Sequence, residues 1–232
     1  MRVAIIPARG GSKRIPRKNI KDFCGQPMLA YPIKAALNSG VVDKVVVSTD
    51  DAEIAAIARK YGAETPFIRK AELADDFTGT TDVIRNAITE LQQLGWPLSH
   101  CACIYATTPL LDSERIAGAY RMLLSSKADY VFSAARFSFP IQRALLQTAE
   151  GGVVPFDPAS IMQRSQDLAE TFHDAGQLYW ATAGTWLDTT KTVFGPGSRM
   201  LLLPAHLVQD IDTAEDWRRA ELLYQLLQAP AQ

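Results

Sequence analysis

The chain holds only 3 cysteines and 3 histidines in 232 residues. Cys24, Cys101 and Cys103 are odd in number and unevenly spaced, which excludes a disulfide framework. Cys101-Ala-Cys103 has no matching second pair, which argues against a zinc site; the two thiols read as small buried residues on a strand. No apolar run approaches the roughly 18–20 residues needed to cross a bilayer. Neither charge dominates: 24 Lys+Arg stand against 25 Asp+Glu, for a formal net charge of −1. A broad nucleic-acid face is therefore not expected. Internal repeats and low-complexity tracts are lacking. The apolar stretch in MRVAIIPARGG is too short for a signal peptide and runs straight into basic residues, so a cytoplasmic location is expected.

What is present is an ordinary globular composition, 47% hydrophobic, long enough to bury one sizeable core. A single domain over residues 1–232 is expected. Short β-branched runs alternate with amphipathic stretches. Strands are predicted over residues 3–6, 44–48, 101–105, 130–134, 178–181 and 200–203. Helices are predicted over residues 28–38, 51–61, 80–94 and 112–125. Gly62 and Gly95 stand as C-terminal stops, and Thr213 N-caps a last helix reaching residue 227. Strand–helix alternation of this length predicts an α/β fold with a mainly parallel sheet. The rhythm breaks at residues 137–170, which are rich in proline and glycine. A segment that long without periodicity reads as an inserted arm with a substrate or dimer role. Trp96, Trp180, Trp186 and Trp217 read as core or interface residues.

Charge is unevenly placed. Residues 1–21 carry Arg2, Arg9, Lys13, Arg14, Arg17, Lys18 and Lys21 and no acidic residue. The first strand therefore opens into a cationic, glycine-bearing loop at its carboxyl end, where open α/β sheets bind ligands. Gly10 and Gly11 allow backbone N–H groups close to phosphate oxygens, Ser12 adds a donor, and Arg9, Lys13 and Lys18 supply charge for a triphosphate. The loop is neither a Walker nor a GxGxxG motif. Asp210 and Asp212, two apart, face one side of an extended chain with Ile211 on the other. Paired carboxylates suit Mg²⁺, which takes one or two of them plus phosphate oxygens and water; the same pair also suits a simple helix cap.

The segment IIPARGGSKRIPRKNI (residues 5–20) resembles the first motif of the cytidylyltransferases that activate nonulosonic and related acid sugars, the CMP-sialic acid synthetase family. Further stretches resemble that family in order: VVVSTDD (45–51), ELADDFTGTT (72–81), TTPLL (107–111), Arg164-Ser-Gln166 and Gln209-Asp-Ile-Asp212. Within the family, RSQDL (164–168) and FHDAGQLYW (172–180) are most similar to the branch that acts on pseudaminic acid. Ala106 stands where sialic acid enzymes carry Gln, and Leu111 replaces their usual Arg. Both departures argue against sialic acid.

The resemblance implies a three-layer αβα sandwich of the nucleotide-diphospho-sugar transferase type. It implies transfer of CMP from CTP to a nine-carbon acid sugar, with Mg²⁺ on Asp210 and Asp212. Ala8, Arg9, Gly10, Gly11, Ser12, Lys13, Lys18, Asn19, Asp76, Thr80 and Thr81 fall at nucleotide positions. Ala106, Thr107, Arg164, Gln166, His173, Asp174 and Gly176 fall at sugar positions. Catalysis would rest on Arg9, Lys18, Asp210 and Asp212, and His173 beside Asp174 reads either as a base or as a sugar contact. The arm at 137–170 resembles the family's dimerisation arm, which implies a homodimer with composite sites. Sialic, legionaminic or octulosonic acid as the sugar, and a non-catalytic nucleotide binder, remain as alternative readings.

Overall fold

The computed structural model describes residues 1–229; the last three positions of the expected domain lie outside the described residues. The elements run β1 (Arg2–Pro7), β2 (Asp22–Phe23), β3 (Gln26–Pro27), α1 (Ala30–Leu37), β4 (Lys44–Ser48), α2 (Ala52–Lys60), α3 (Thr80–Gln93), β5 (His100–Ile104) and α4 (Ser113–Ser126). They continue with β6 (Tyr130–Arg136), β7 (Leu145–Gln147), β8 (Val153–Pro155), β9 (Phe172–Thr182), α5 (Ala183–Leu187), β10 (Arg199–Leu202) and α6 (Ala214–Gln228). Six strands form the central sheet in the order β10-β6-β9-β5-β1-β4. All neighbours in it are parallel except β9, which runs antiparallel to both β5 and β6.

The two-residue period of the strands builds the layers. Ala4, Ile6, Val45, Val47, Ala102 and Ile104 pack on one face with Ile33 of α1, Ile54 of α2 and Ile116 of α4. Val3, Ile5, Val46, Cys101 and Cys103 pack on the other with Ile84 and Ile88 of α3 and Trp186 of α5. Three layers result, as expected. Cys101 and Cys103 are buried apolar strand residues, and burial pushes the Cys101 thiol up to about 12. Trp180, Trp186 and Trp217 are buried, in keeping with their core assignment.

Helix ends follow the local chemistry. Asp51 accepts the Glu53 and Ile54 amides at the start of α2, and Asp112 accepts the Arg115 amide at the start of α4. Thr213 and Asp216 form a reciprocal capping box at the start of α6. Gly62 and Gly95 take positive φ just past α2 and α3, where side chains are strained. A third, small cluster places Ile15 of the basic loop and Phe23 beside Ile211 and Trp217. That cluster clamps the amino-terminal loop to the segment entering α6, residues far apart in sequence.

One expectation needs correction. β9 is 11 residues long, not the four of the periodic core at 178–181, because its first half lacks apolar alternation. The 137–170 segment holds the β7–β8 hairpin and leaves Phe139, Leu145, Met162 and Phe156 exposed.

Candidate active site

The parallel strands β1, β4 and β5 end at one edge, where the loops after β1 and β5, the segment leading into α3 and Asp212 enclose a cleft of about 400 Å³. Arg9, Ser12, Arg14, Lys18, Asn19 and Asp76 line it, together with Thr80, Ala106, Thr107 and Asp212. The loop cations do not stand free. Arg9 pairs with Asp76 at 2.7 Å and Lys13 with the same carboxylate at 2.5 Å. Those two cations hold the Asp76 carboxyl below the usual range. Arg14 pairs with Asp212 at 2.8 Å, and Lys18 reaches Asp212 at 3.3 Å while donating to the Ile211 carbonyl at 2.5 Å. Each pair can be exchanged for a phosphate oxygen, since the partners are partly exposed and solvent-screened.

Other loop residues shape the cradle. Asn19, buried, donates to the Arg9 carbonyl at 2.9 Å and so fixes where that arginine leaves the backbone. The Gly10 amide donates to Asp50 at 3.0 Å, and a Cβ on Gly10 would come within 2.8 Å of the Asp51 carboxylate. Gly10 is therefore needed for the turn against α2, and its amide is already engaged. Gly11 has open space where a Cβ would stand. Ala8 is buried beneath the loop. Arg2, Arg17 and Lys21 serve elsewhere: Arg2 on Asp43 and Arg17 on Asp51 at 2.5 Å each, Lys21 over the Trp217 ring.

Asp210 and Asp212 flank buried Ile211, as the extended reading predicts. Crowding by surrounding protein, then the Asp212 charge, push the Asp210 carboxyl above the usual range, with Lys18 opposing. Asp212 lines the cleft and Asp210 does not; two mutually repelling carboxylates, one of them in the cleft wall, are a donor set suited to a hard divalent cation. Among the described residues no group of three or more His, Cys, Asp or Glu could hold a metal. The pair therefore needs ligand oxygens or water to complete any coordination shell.

Sequence reasoning missed Arg69. It is 4% exposed, lines the cleft, and donates from Nε to the Ser48 hydroxyl at 3.1 Å and from Nη2 to the Ser48 carbonyl. Burial pushes its guanidinium down to about 10, with Asp50 opposing. No periodicity or motif marks a lone arginine in a loop; only the fold brings it under the cleft.

A second cavity of about 410 Å³ adjoins the first. Thr80 and Tyr105 line both, and their hydroxyls lie 3.1 Å apart. Thr81, Arg85, Asp174, Tyr179, Lys191 and Phe194 line the second cavity alone. Thr81 thus sits beyond the cationic cleft where a nucleotide role was expected. Gly176 has φ +62 and gives its amide to Asp174 at 3.0 Å, a backbone role in place of direct contact. His173 packs its ring edge-on to Phe137 at 4.9 Å and lines neither cavity. Arg164 and Gln166 lie in the arm, exposed, with Arg164 paired to Asp167 at 2.8 Å, and neither lines the two cavities.

A mainly parallel α/β sheet with a cationic cleft at its carboxyl edge and a polar cavity beside it suits a nucleotidyltransferase. The chain belongs to the cytidylyltransferase family, whose model, described as "Cytidylyltransferase", matches residues 3–188. It is 46% identical to a pseudaminic acid cytidylyltransferase of Campylobacter jejuni subsp. jejuni serotype O:2, over 97% of this chain and 96% of that one. It is 30% identical to a CMP-N,N'-diacetyllegionaminic acid synthase of Legionella pneumophila, over 97% of each chain. The fold matches a solved CMP:2-keto-3-deoxy-manno-octonic acid synthetase with a TM-score of 0.73, covering 97% of this chain and 99% of that one at 16% identity. Among the described residues no helix is long and apolar enough to cross a membrane.

Proposed function

We propose that the chain transfers CMP from CTP to the anomeric hydroxyl of pseudaminic acid, releasing pyrophosphate. One observation carries the geometry: a cationic cleft and a polar cavity of mixed charge meet at Thr80 and Tyr105. The triphosphate belongs with Arg9, Ser12, Lys13 and Lys18. The sugar belongs in the second cavity, with its carboxylate end at the shared wall nearest the cations. Attack on the α-phosphorus then occurs where the two spaces join. The reaction needs in-line placement and charge neutralisation more than covalent help from the protein. Asp210 and Asp212 fit Mg²⁺, which when bound supplies positive charge against the phosphate oxygens. The choice of sugar rests on the likeness to the Campylobacter relative.

Pyrophosphate release with CTP and Mg²⁺, run in parallel with pseudaminic, N-acetylneuraminic and legionaminic acids, tests this. Pseudaminic acid is expected to give the highest kcat/KM. Preference for another acid overturns the sugar assignment. No release with any acid, together with no CTP binding, overturns the transfer itself.

The arm completes the reading. Its Phe139, Leu145, Phe156 and Met162 are exposed apolar side chains that pairing would cover. Arg164 and Gln166, remote from this chain's own cavities, then stand ready to enter a second copy's. We therefore propose a homodimer with composite sites. Dilution through the dimer–monomer transition is expected to lower specific activity in step with the dimer fraction measured by light scattering; unchanged activity of the monomer would exclude composite sites.

A further inference from the structure

Asp174 and Tyr179 are five positions apart, an odd offset, so along an unbroken strand they would face opposite sides of the sheet. They do not. The register of β9 on β6 shifts between Phe132 and Ala134: Phe132 stands opposite Tyr179, and Ala134 opposite Asp174. The extra β9 residues form a bulge, with Gly176 in the left-handed region at φ +62. A bulge of this kind turns a side chain to the other face. Both Asp174 and Tyr179 thereby line the second cavity, and the Tyr179 hydroxyl donates to Asp174 Oδ2 at 2.6 Å. The other oxygen, Oδ1, accepts from the Gly176 amide at 3.0 Å.

A carboxylate has no proton to give, and a phenol has one. We infer that Asp174 is a positioning residue that fixes the polarity of Tyr179, holding its single proton so that the tyrosine oxygen meets the sugar as an acceptor only. This rests on the reading that the second cavity takes the acid sugar. Burial first, and then Tyr105 and Asp174, push the Tyr179 pKa up, so the phenol keeps the proton it donates. The cavity wall made by Asp174 and Tyr179 therefore offers acceptors and negative charge. It suits a donor on the sugar's distal part, a hydroxyl or an acylamino N–H, and it disfavours the sugar's own carboxylate. The same wall thus turns the donor-bearing end toward β9 and the acid end away from it, toward the cations of the nucleotide cleft or Arg85 and Lys191 elsewhere in the cavity. Gly176 matters here as the hinge of the bulge. Within the run His173-Asp-Ala-Gly176, Asp174 is then the working group and Gly176 its backbone support.

Asp174→Asn keeps the shape but can donate from its amide, freeing the tyrosine proton to point into the cavity. Tyr179→Phe removes the acceptor. Each variant is expected to raise the KM for the acid sugar by about tenfold while leaving the KM for CTP within about twofold, because only the sugar-facing polar match is lost. The double variant is expected to lose no more than either single one, since both changes remove one shared arrangement. An unchanged sugar KM in Asp174→Asn, or losses that multiply in the double variant, would overturn the assignment. So would a fall in thermal midpoint with both KM values raised together, the mark of a simple structural brace. A wild-type chain that binds CTP but transfers CMP to no acid sugar would instead bring down the reading of the cavity, and this assignment with it.

Discussion

Replacing Arg69 with methionine is expected to weaken CTP binding by about a hundredfold while leaving the ligand-free protein as stable as before or slightly more so. The two signs have one cause. Arg69 is buried and satisfied by Ser48 alone through two donors, leaving its other N–H groups unmatched beside the cleft. Among the described residues it takes part in no ion pair. Burying a charge without a counter-ion costs free energy in the empty protein. Methionine of similar volume removes that cost. When an anionic or carbonyl-bearing ligand occupies the cleft, the same unmatched donors become preorganised partners in a low-dielectric setting, worth more than exposed ones. Calorimetric titration of CTP and thermal unfolding of the ligand-free chain read the two effects separately. A lowered thermal midpoint with unchanged CTP affinity would make Arg69 a brace for the β4 end and nothing more.

Asp212→Asn is expected to reduce turnover by about a thousandfold or more and yet leave metal-free CTP binding unchanged or tighter. Asp212 accepts both Arg14 and Lys18 and lies next to Asp210 across buried Ile211. Asparagine keeps the side-chain shape and lets Ile211 and the capping box of α6 stay in place. It removes one of the two negative charges that suit a divalent cation. It also releases two cations that can then turn to phosphate. Loss of turnover with retained CTP binding is the signature of an enzyme, because a plain nucleotide binder has no step for the carboxylate to serve. Turnover within about tenfold of the parent chain would sink the role given to the Asp pair. The measurement is pyrophosphate release alongside CTP titration with and without Mg²⁺.

Most of the scaffold was legible in the chain because its signals are local. Val3, Ile5, Val46, Cys101 and Cys103 alternate with Ala4, Ile6, Val45, Val47 and Ala102, and this two-residue period alone places them on opposite faces. Asp51, Asp112 and Thr213 announce helix starts by their capping chemistry. Gly62 and Gly95 announce ends by the positive φ they tolerate. The first half of β9 carried no such mark. Phe172 to Gly176 lack apolar alternation because the bulge and the cavity wall, not a buried face, set their residue types. The reading of residues 137–170 as an inserted arm follows from missing periodicity, but the β7–β8 hairpin inside it was hidden, its outward residues being apolar.

The basic loop shows where local reading stops. Seven cations precede residue 22, and local reading gives Arg9, Lys13 and Lys18 among them to a triphosphate. The fold divides them: Arg9, Lys13, Arg14 and Lys18 stay at the cleft, while Arg2, Arg17 and Lys21 brace other elements. What the sequence by itself determined is the α/β alternation, the helix ends, the cationic loop after the first strand and the Asp210–Asp212 pair, because each follows from neighbours within one or two turns of chain. What only the tertiary structure decided is which acid meets which cation, the burial of Arg69 beneath the cleft, and the meeting of Asp174 with Tyr179. Those depend on strand register and on contacts between segments up to two hundred residues apart, and no local pattern of residues encodes them.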